Sequence, residues 1–334
     1  MTKPESLEER VFGLRGKEDN FDEVALEVFS FQYHNNKVYR RFCDGLGLDP
    51  AGVNDPTVIP FLPIELFKRN RVVSFSRKDE AVFISSGTGG DKRSSHYVAD
   101  LSLYERSFME CFRMFYGEPS AYCIMALLPS YLERQDSSLV YMTKRLIECS
   151  GHPLSGFYLD DLRGLAERLS DLDSDGQKFI LLGVSFALLD LAASFPRSLG
   201  EGIIMETGGM KGRRREMVRE ELHSVLCNAF GREHIHSEYG MTELLSQAYS
   251  QGLGRFRCPP WMRVYIRDSN DPLDIMGSDA AGGINVIDLA NIYSCSFIAT
   301  QDLGRLHPGG VFEVLGRFDN SDVRGCNLLV DLTV

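Results

Sequence analysis

The stretch HSEYGMTE at residues 236–243 combines an aromatic ring, a glycine, a hydroxyl and a carboxylate in one short segment. Tyr239 offers a flat face on which a purine can stack, and Gly240 lets the backbone turn at little steric cost. Thr242 can donate a hydrogen bond to a phosphate, and Glu243 is an oxygen ligand of the kind that Mg²⁺ prefers. The same pattern also suits a strand end followed by a helix cap. The stretch therefore predicts either a nucleotide site or an ordinary connection, and other segments must decide between them.

The chain has 334 residues, of which 43% are apolar, so it is long enough for about two domains with a sizeable core. Its 36 lysines and arginines are outnumbered by 47 aspartates and glutamates, which gives a net charge of −11. The longest basic block is RRR at residues 213–215, and a chain with this balance is poorly suited to bind a nucleic acid. We therefore expect a globular protein whose partners are small molecules or other proteins, with no nucleic acid among them.

Eight cysteines are scattered from Cys43 to Cys326 without a C-x-x-C pair or closely spaced histidines. This spacing argues against a disulfide framework and against a structural zinc site, and it fits a reducing compartment. The first residues lack the apolar core of a signal peptide, and no later stretch approaches the ~18 consecutive apolar residues of a membrane span. The sequence therefore predicts a cytoplasmic protein without a membrane span.

Short apolar runs alternate with helical patterns between residues 81 and 250. Runs of strand length occur at 81–84, 122–128, 178–184 and 202–205, and helical patterns at 100–115, 138–148, 160–169, 186–195 and 216–230. This alternation predicts an α/β fold with a largely parallel sheet that helices cover on both faces. Ligands bind such sheets at the carboxyl ends of the strands. The loops at 85–90, 207–210 and 240–243 would therefore gather along one rim.

The loop SSGTGGDKR at residues 85–93 follows the first of these strands. Its glycines let successive backbone N–H groups converge on an anion, its hydroxyls add donors, and Lys92 or Arg93 adds positive charge. It matches neither the G-x-x-x-x-G-K-[ST] pattern of nucleoside triphosphatases nor the G-x-G-x-x-G pattern of dinucleotide folds. The loop is therefore a candidate phosphate loop of another class. His96, just beyond it, is interpreted as a surface or satisfied histidine.

The two ends of the chain do not show this alternation of strands and helices. Asn20 and Glu23 form a variant capping box that opens one predicted helix, which runs from Asn20 to Phe42. After residue 250, strand-like runs at 262–266, 283–287, 296–299 and 311–315 are separated by turn residues and predict a small β-rich subdomain. Asp302 lies between two of these runs, where it would be either a ligand for ribose hydroxyls or a plain turn aspartate.

Four motifs occur in the order and spacing of the adenylate-forming enzymes. They are SSGTGG at 85–90, YGMTE at 239–243, the aspartate at 302 and GRFD at 316–319. Within that superfamily the chain resembles the acyl-protein synthetases of the LuxE type, with phenylacetate-CoA ligase as a more distant relative. The closer resemblance is carried by PFLP at 60–63, LPSYL at 128–132, ETGGMK at 206–211 and DVRGCN at 322–327. It spans residues 55–334.

The resemblance implies a site for ATP and Mg²⁺. The β- and γ-phosphates would lie on the loop formed by Ser85, Ser86, Gly87, Thr88, Gly89 and Gly90. The adenine would be held by Gly208, Gly209 and Tyr239, with Gly240 and Met241 continuing the turn. Thr242 would contact the α-phosphate, and Glu243 would bind Mg²⁺. The ribose hydroxyls would be held by Asp302, and the ribose or a phosphate would be reached by Arg317. The cation of the phosphate loop would be Lys92, or Arg93 if the loop is aligned without a gap.

Three features depart from the usual pattern of the superfamily. Gly89 stands where relatives have a second threonine, and Ser237 stands where they often have an asparagine that bonds to adenine. The chain also ends at Val334, 18 residues after Gly316, where full-length relatives continue into a lid domain with a catalytic lysine. The expected fold is therefore the α/β large domain of an adenylate-forming enzyme with a small β-rich subdomain, without the usual C-terminal lid. The expected domains are a helical preface at 1–54, an adenylation core at 55–250, the β-rich subdomain at 251–315, and a hinge and tail at 316–334.

The implied activity is the ATP-dependent conversion of a carboxylic acid, a fatty acid in the resembled enzymes, to an acyl-adenylate that a thiol then attacks. Cys326 matches the cysteine near the C-terminus that carries the acyl group in those synthetases before a reductase subunit receives it. Arg324 would raise its thiolate fraction, although a cysteine between Val323 and Leu328 also suits a small buried side chain. Two alternatives stay open. One is an acyl- or aryl-CoA ligase that uses coenzyme A, and the other is a nucleotide-binding paralogue without turnover.

Overall fold

The computed structural model describes residues 4–16, 20–86, 92–128, 136–159, 161–200, 202–208 and 217–318. The helices are α1 (Pro4–Gly13), α2 (Phe21–Asn35), α3 (Lys37–Gly45), α4 (Leu101–Tyr116), α5 (Ser138–Ser150), α6 (Leu162–Ser174), α7 (Ser185–Ser194) and α8 (Arg219–Phe230). The strands are β1 (Leu62–Pro63), β2 (Ala81–Ile84), β3 (Ser95–Val98), β4 (Cys123–Leu127), β5 (Gly156–Phe157), β6 (Phe179–Val184), β7 (Ile203–Thr207), β8 (His236–Tyr239), β9 (Ala248–Ser250), β10 (Phe256–Arg257), β11 (Met262–Arg267), β12 (Ile275–Met276), β13 (Ala281–Asp288), β14 (Phe297–His307) and β15 (Val311–Arg317).

The chain divides into two compact units. Unit 1 comprises residues 1–107, 242–246 and 258–334, and unit 2 comprises residues 108–241 and 247–257. Strands β4–β10 therefore lie in unit 2, and strands β1–β3 and β11–β15 lie in unit 1.

Unit 2 is built on parallel strands in the order β8-β7-β6-β4-β5. β9 pairs antiparallel with β8, and β10 pairs antiparallel with β9. Every residue of β4 and β6 is buried, so both faces of the sheet are covered at these strands. Their sequences, CIMAL and FILLGV, are the unbroken apolar runs that such strands require. The predicted parallel sheet is confirmed in this unit.

Helices α6, α7 and α8 supply much of the core of unit 2. Leu165 of α6, Leu188 of α7 and Leu226 of α8 are each fully buried in one apolar cluster. Burying a leucine side chain contributes on the order of 2 kcal/mol. α8 is followed by Gly231, whose φ of 61° is the left-handed conformation that glycine adopts without a steric penalty. The predicted end of this helix is therefore confirmed.

Unit 1 contains antiparallel strands in the order β12-β11-β13-β14-β15, with β1 parallel to β14. A separate antiparallel hairpin joins β2 and β3, with Ile84 opposite Ser95. The predicted phosphate loop lies in sequence between these two strands, and residues 87–91 of it are outside the described residues. The expectation that it follows a strand of the parallel sheet is therefore wrong, because β2 pairs with β3 in a two-stranded sheet of their own.

A buried arginine crosses the sheet of unit 1. Arg267 of β11 donates to Oδ1 of Asn285 at 2.9 Å and to the carbonyl of Thr300 at 2.6 Å. Gly283 leaves the space for this side chain, since a Cβ at that position would lie 2.4 Å from the guanidinium carbon. The arginine thus fixes β14 immediately before Asp302.

The N-terminal helices α2 and α3 pack on strand β14 within unit 1. Phe29 of α2 and Tyr39 of α3 contact Phe297 of β14, with ring centroids 6.2 and 6.0 Å apart. Gln32 is fully buried, and its side-chain amide donates to the carbonyls of Asn291 and Ile292. These contacts anchor α2 to the loop between β13 and β14.

The single helix predicted from Asn20 to Phe42 is two helices. Asn36 has an extended backbone, with φ −100° and ψ 106°, and its side-chain oxygen accepts from the N–H groups of Val38 and Tyr39. It therefore ends α2 and caps α3. Asn20, predicted to cap the first helix, makes no side-chain hydrogen bond to it. The sequence does not reveal the break at Asn36, because the apolar residues of α3 continue nearly the same helical spacing as those of α2.

The strand predicted at 296–299 runs further, from Phe297 to His307. Asp302 therefore lies inside β14, directly opposite Arg317 of β15, and the interpretation as a turn aspartate is wrong. The polar run Thr300–Asp302 resembles a turn in sequence, but β15 pairs with it across a register shift between Leu303 and Gly304. This non-local pairing has no signal in the local sequence pattern.

Candidate functional site

Thr242 and Glu243 begin the segment 242–246 of unit 1, and two buried side chains hold their backbone carbonyls. Nδ1 of His96 lies 2.8 Å from the carbonyl oxygen of Thr242, and Nδ2 of Asn291 donates to the carbonyl oxygen of Glu243 at 2.8 Å. His96 and Asn291 are each 1% exposed. Described residues 240–247 contain no helix, so the alternative of a helix cap after β8 is wrong. The turn is instead held by contacts from distant parts of the chain.

Asp288 holds the other end of the segment 242–246. Its carboxylate accepts hydrogen bonds from the backbone N–H groups of Leu245 and Ser246, at 2.8 and 3.0 Å, and from the hydroxyl of Ser246. Burial raises the pKa of Asp288, and these donors act against that shift. Trp261 donates its indole N–H to the same hydroxyl at 3.0 Å. Both ends of the segment are thus fixed by buried polar side chains.

Glu243 is a buried carboxylate, 5% exposed. Burial raises its pKa, and the charge of Asp302 acts in the same direction. A hydrogen bond from Ser94 and the positive charge of Arg317 oppose the shift. A bound cation would stabilise the ionised form of a carboxylate that is buried in this way, because little water remains to solvate its negative charge.

The described ends of the phosphate loop close onto each other. The N–H of Ser85 donates to the carbonyl of Ser94 at 3.0 Å, and the N–H of Ser94 donates to Oγ of Ser85 at 2.9 Å. Ser86 and Lys92 are exposed. The hydroxyl of Ser85 is thus engaged at the base of the loop, whereas Ser86 and Lys92 face solvent.

Asp302 and Arg317 form an ion pair across β14 and β15. Nε of Arg317 donates to Oδ1 of Asp302 at 2.9 Å. The side chain of Asp302 is 9% exposed and that of Arg317 is 73% exposed. The two residues predicted to hold the ribose are therefore neighbours, and the arginine can leave the pair at little cost because water already surrounds it.

In unit 2 the predicted adenine residues lie at the ends of neighbouring parallel strands. Gly208 follows β7 with φ 66°, and its carbonyl accepts from the hydroxyl of Ser185 at 2.9 Å. Tyr239 ends β8, is 7% exposed, and packs on Phe256 with ring centroids 5.9 Å apart. Gly240 is exposed, and Met241 is half-buried. A Cβ at Gly240 would lie 2.5 Å from Oε1 of Glu238, so a larger residue there would displace this carboxylate.

A buried polar cluster behind these strand ends was not predicted from the sequence. Oε1 of Glu206 accepts from Nε of Arg219 at 3.1 Å and lies 3.7 Å from Nε2 of His223. The same nitrogen of His223 lies 3.3 Å from the hydroxyl of Ser237. The available signal was a glutamate in each of two neighbouring strands, Glu206 in β7 and Glu238 in β8. Ser237 takes part in this cluster through its contact with His223.

Six predicted site residues lie outside the described residues. They are Gly87, Thr88, Gly89, Gly90, Gly209 and Cys326. Their roles stay predictions.

A family model for acyl-protein synthetases of the LuxE type matches residues 166–333 of this chain, just over half of its length. A similar curated protein is the long-chain-fatty-acid–luciferin-component ligase of Vibrio harveyi. The two sequences are 24% identical over 325 residues, which cover 90% of this chain and 84% of the relative.

Solved structures share the fold. ATP-bound MatB from Rhodopseudomonas palustris superposes with a TM-score of 0.55 and 16% identity, covering 73% of this chain and 50% of MatB. A 2-hydroxyisobutyryl-CoA ligase in complex with 2-HIB-AMP superposes with a TM-score of 0.65 and 12% identity, covering 96% of this chain and 72% of that ligase. At such identities the likeness concerns the fold alone, and it confirms the predicted fold class. The chain spans about half the length of MatB.

Within the part of the chain that the structure describes, no helix combines the length and the apolar character needed to cross a membrane. The residues matched by the family model include Glu243, Asp302 and Cys326. The resemblance predicted from the motifs is therefore confirmed, and the chain belongs to the LuxE family of acyl-protein synthetases.

Proposed function

We propose that this chain is an acid–thiol ligase that activates a carboxylic acid, in the first instance a fatty acid, with ATP. A carboxylate oxygen of the acid attacks the α-phosphorus, a new P–O bond forms, and the bond to pyrophosphate breaks. A thiol sulfur then attacks the acyl carbon, the bond to AMP breaks, and the thiol proton passes to solvent. Membership of the acyl-protein synthetase family supports the reaction, and the name of the Vibrio harveyi relative supports the substrate class.

The observation that carries this proposal is the fixed segment 242–246. Activation brings two anions together, so the protein must mainly position them and offset their charge. The hydroxyl of Thr242 and the carboxylate of Glu243 belong to a turn whose carbonyl and N–H groups are held by buried side chains. Groups held in this way need little reorganisation when the reactants bind.

Glu243 is the candidate ligand for Mg²⁺. In nucleotide sites Mg²⁺ is usually held by one or two carboxylates together with phosphates and water. The described residues contain no cluster of three or more ligating side chains, and a buried carboxylate with a raised pKa fits the simpler arrangement. Bound there, Mg²⁺ would offset negative charge on the phosphates.

The remaining nucleotide contacts follow the family pattern. Ser86 and Lys92, both exposed, bind the β- and γ-phosphates together with the glycines of the loop. Asp302 accepts from the ribose hydroxyls, and Arg317 turns from Asp302 towards the ribose or a phosphate. Tyr239 and Gly208 contact the adenine. These assignments rest on the resemblance together with the placement of Asp302 beside Arg317.

The acyl acceptor is Cys326, from which a partner reductase takes the acyl group. This assignment rests on the match of Cys326 to the family's C-terminal cysteine. Coenzyme A is the alternative acceptor, and a chain that binds ATP without turnover is the alternative function. The two experiments below separate these three outcomes.

Exchange of labelled pyrophosphate into ATP tests the activation step, because formation of the acyl-adenylate is reversible. Wild-type protein with Mg²⁺, ATP and a long-chain fatty acid should catalyse the exchange. Glu243→Gln should lower its rate by about a hundredfold or more, since a lost metal contact removes several kcal/mol of charge stabilisation. Glu118→Gln, which changes an exposed glutamate, is the matched control and should behave as wild type. Normal exchange in Glu243→Gln would remove that residue from the metal site, and ATP binding without exchange would favour the non-catalytic alternative.

Intact-protein mass spectrometry after incubation with ATP, Mg²⁺ and a panel of fatty and aryl acids tests the acceptor. Wild type should gain the mass of one acyl group, and Cys326→Ser should gain none. Cys149→Ser, which removes an exposed thiol, should still be acylated. Release of acyl-CoA on addition of coenzyme A, with no acylated protein and no effect of Cys326→Ser, would establish the CoA ligase instead.

A further inference from the structure

Two side chains at the start of β3, two residues apart on the same face, contact Thr242 and Glu243. Ser94, just before the strand, donates its hydroxyl to the carboxylate of Glu243, and His96 contacts the carbonyl of Thr242. Residues two apart on an extended chain point to the same side. Because Ser94 also closes the base of the phosphate loop with Ser85, the loop and the carboxylate motif are joined through one short strand.

Both ring nitrogens of His96 face oxygens that can only accept a hydrogen bond, and the ring is neutral because burial lowers its pKa to about 4, so it donates at one of the two contacts. Nδ1 faces the carbonyl of Thr242, which can only accept a hydrogen bond. Nε2 lies 3.1 Å from Oδ1 of Asn291. The amide of Asn291 cannot be turned around, because its Nδ2 donates to the carbonyls of both Glu243 and Cys295, at 2.8 and 2.9 Å. Oδ1 must therefore face the ring.

His96 and Asn291 thus form a connected pair that contacts two consecutive backbone carbonyls, those of Thr242 and Glu243. The pair joins three segments that are far apart in sequence, with 146 positions between His96 and Thr242 and 195 between His96 and Asn291. An apolar side chain of similar size at position 96 would fill the space but could donate to neither the carbonyl of Thr242 nor Oδ1 of Asn291. The ring of Phe67, edge-on at 6.2 Å, packs on His96 and leaves it little freedom to move.

We infer that His96 and Asn291 are positioning residues for the adenylation reaction, which orient the peptide groups of Thr242 and Glu243 so that the hydroxyl meets a phosphate and the carboxylate meets the metal. The inference rests on the proposed function. It adds a role for two residues that contact neither ATP nor metal, and it explains why a histidine occupies the interior position after the phosphate loop.

Substitutions at position 96 separate the two contacts of the ring. In His96→Asn the amide nitrogen takes about the place of Nδ1 and can still donate to Thr242. In His96→Gln the nitrogen takes about the place of Nε2 and can donate to Asn291 alone. The readout is the Mg²⁺ concentration that gives half-maximal pyrophosphate exchange. We expect His96→Asn to stay within about threefold of wild type and His96→Gln to need about tenfold more Mg²⁺, since only His96→Gln loses the contact to the carbonyl of Thr242. Val28→Ala, which lowers stability by thinning the core of α2, should leave the Mg²⁺ dependence unchanged.

Hydrogen exchange, followed by mass spectrometry, supplies a second readout that needs no catalysis. The amides of Leu245 and Ser246 should exchange faster in His96→Gln than in His96→Asn or Val28→Ala. Equal Mg²⁺ dependence and equal exchange in the two His96 variants would overturn the inference and reduce the pair to packing. If wild type shows no pyrophosphate exchange, the proposed function fails. Calorimetric binding of ATP with and without Mg²⁺ then replaces the activity readout for the same variants, and equal Mg²⁺ dependence among them would again overturn the inference.

Discussion

Glu206 and Glu238 lie on neighbouring strands, but their surroundings shift their pKa values in opposite directions. Burial alone would raise the pKa of Glu206, yet the nearby ring of His223 and the charge of Arg219 outweigh it and lower the pKa. Glu238 has the hydroxyl of Thr207 as its donor, so burial and the charge of Glu206 raise its pKa to about 7. Glu238 therefore exchanges its proton near neutral pH, directly beside the predicted adenine residues.

The substitution Glu238→Gln should flatten the dependence of stability on pH. The folded chain keeps the Glu238 proton up to about pH 7, whereas the unfolded chain releases it near the ordinary value of 4.5. Between these values the folded state binds more protons, so stability falls as pH rises, by on the order of 3 kcal/mol in total. Glutamine stays neutral and removes this slope. Urea unfolding at about pH 5 and about pH 8 would measure it.

Wild type and Glu238→Gln should be compared by the change in their unfolding free energy with pH, and not by the unfolding free energy at a single pH. Burial lowers the pKa values of His96 and His236 to about 4, so these residues make stability rise with pH over part of the same range. Their contribution is common to wild type and Glu238→Gln and cancels in the difference. Parallel curves for the two proteins would show that Glu238 does not hold its proton in the fold.

Asn36 connects α2, α3 and the loop between β13 and β14. Its side-chain oxygen caps α3, and its Nδ2 donates to the carbonyl of Ser294 at 2.9 Å. It is 1% exposed. One residue therefore ends a helix, begins the next and ties both to the loop that carries Asn291, the partner of His96.

Replacing Asn36 with alanine should destabilise the protein by about 1–3 kcal/mol, because it removes a helix cap and one donor to a buried carbonyl. Asn20→Ala is the matched control. Asn20 also precedes a helix, but it is exposed and makes no side-chain cap hydrogen bond, so its loss should change stability by less than about 0.5 kcal/mol. Both values follow from urea unfolding curves. Equal effects at the two positions would mean that the geometry of the cap at Asn36 contributes nothing.

Elements that depend on local pattern were predictable, and contacts between distant segments were not. The unbroken apolar runs of β4 and β6 and the glycine that ends α8 can be read directly from the sequence. The motif YGMTE was likewise recognisable, because the types and order of its residues carry the chemistry. The break at Asn36 was missed because it depends on a side-chain cap within a continuous apolar stripe.

The candidate site also depends on contacts between residues that are far apart in sequence, which could not be predicted. His96 was interpreted as a surface or satisfied histidine, and it is indeed satisfied, but its partners lie 146 and 195 positions away. Asp302 was identified from its motif, whereas its place inside β14 follows from pairing with β15. The cluster around Glu206 depends on α8 returning to β7, which places Arg219 within 3.1 Å of the carboxylate. Such contacts follow from the topology, and no window of sequence contains them.

Binding of ATP with Mg²⁺ should raise the melting temperature of the chain. A ligand that binds only the folded state adds RT ln(1 + [L]/Kd), about 2.7 kcal/mol when its concentration is about 100 Kd. Trp261 is the single tryptophan and is fully buried, so its fluorescence reports the melting of unit 1. Wild type should melt higher with ATP and Mg²⁺ than with ATP and a chelator, by a few degrees. Glu243→Gln should lose this difference while keeping any gain from ATP alone, because its neutral amide is a far weaker ligand for Mg²⁺. A full Mg²⁺-dependent gain in Glu243→Gln would place the metal on other residues.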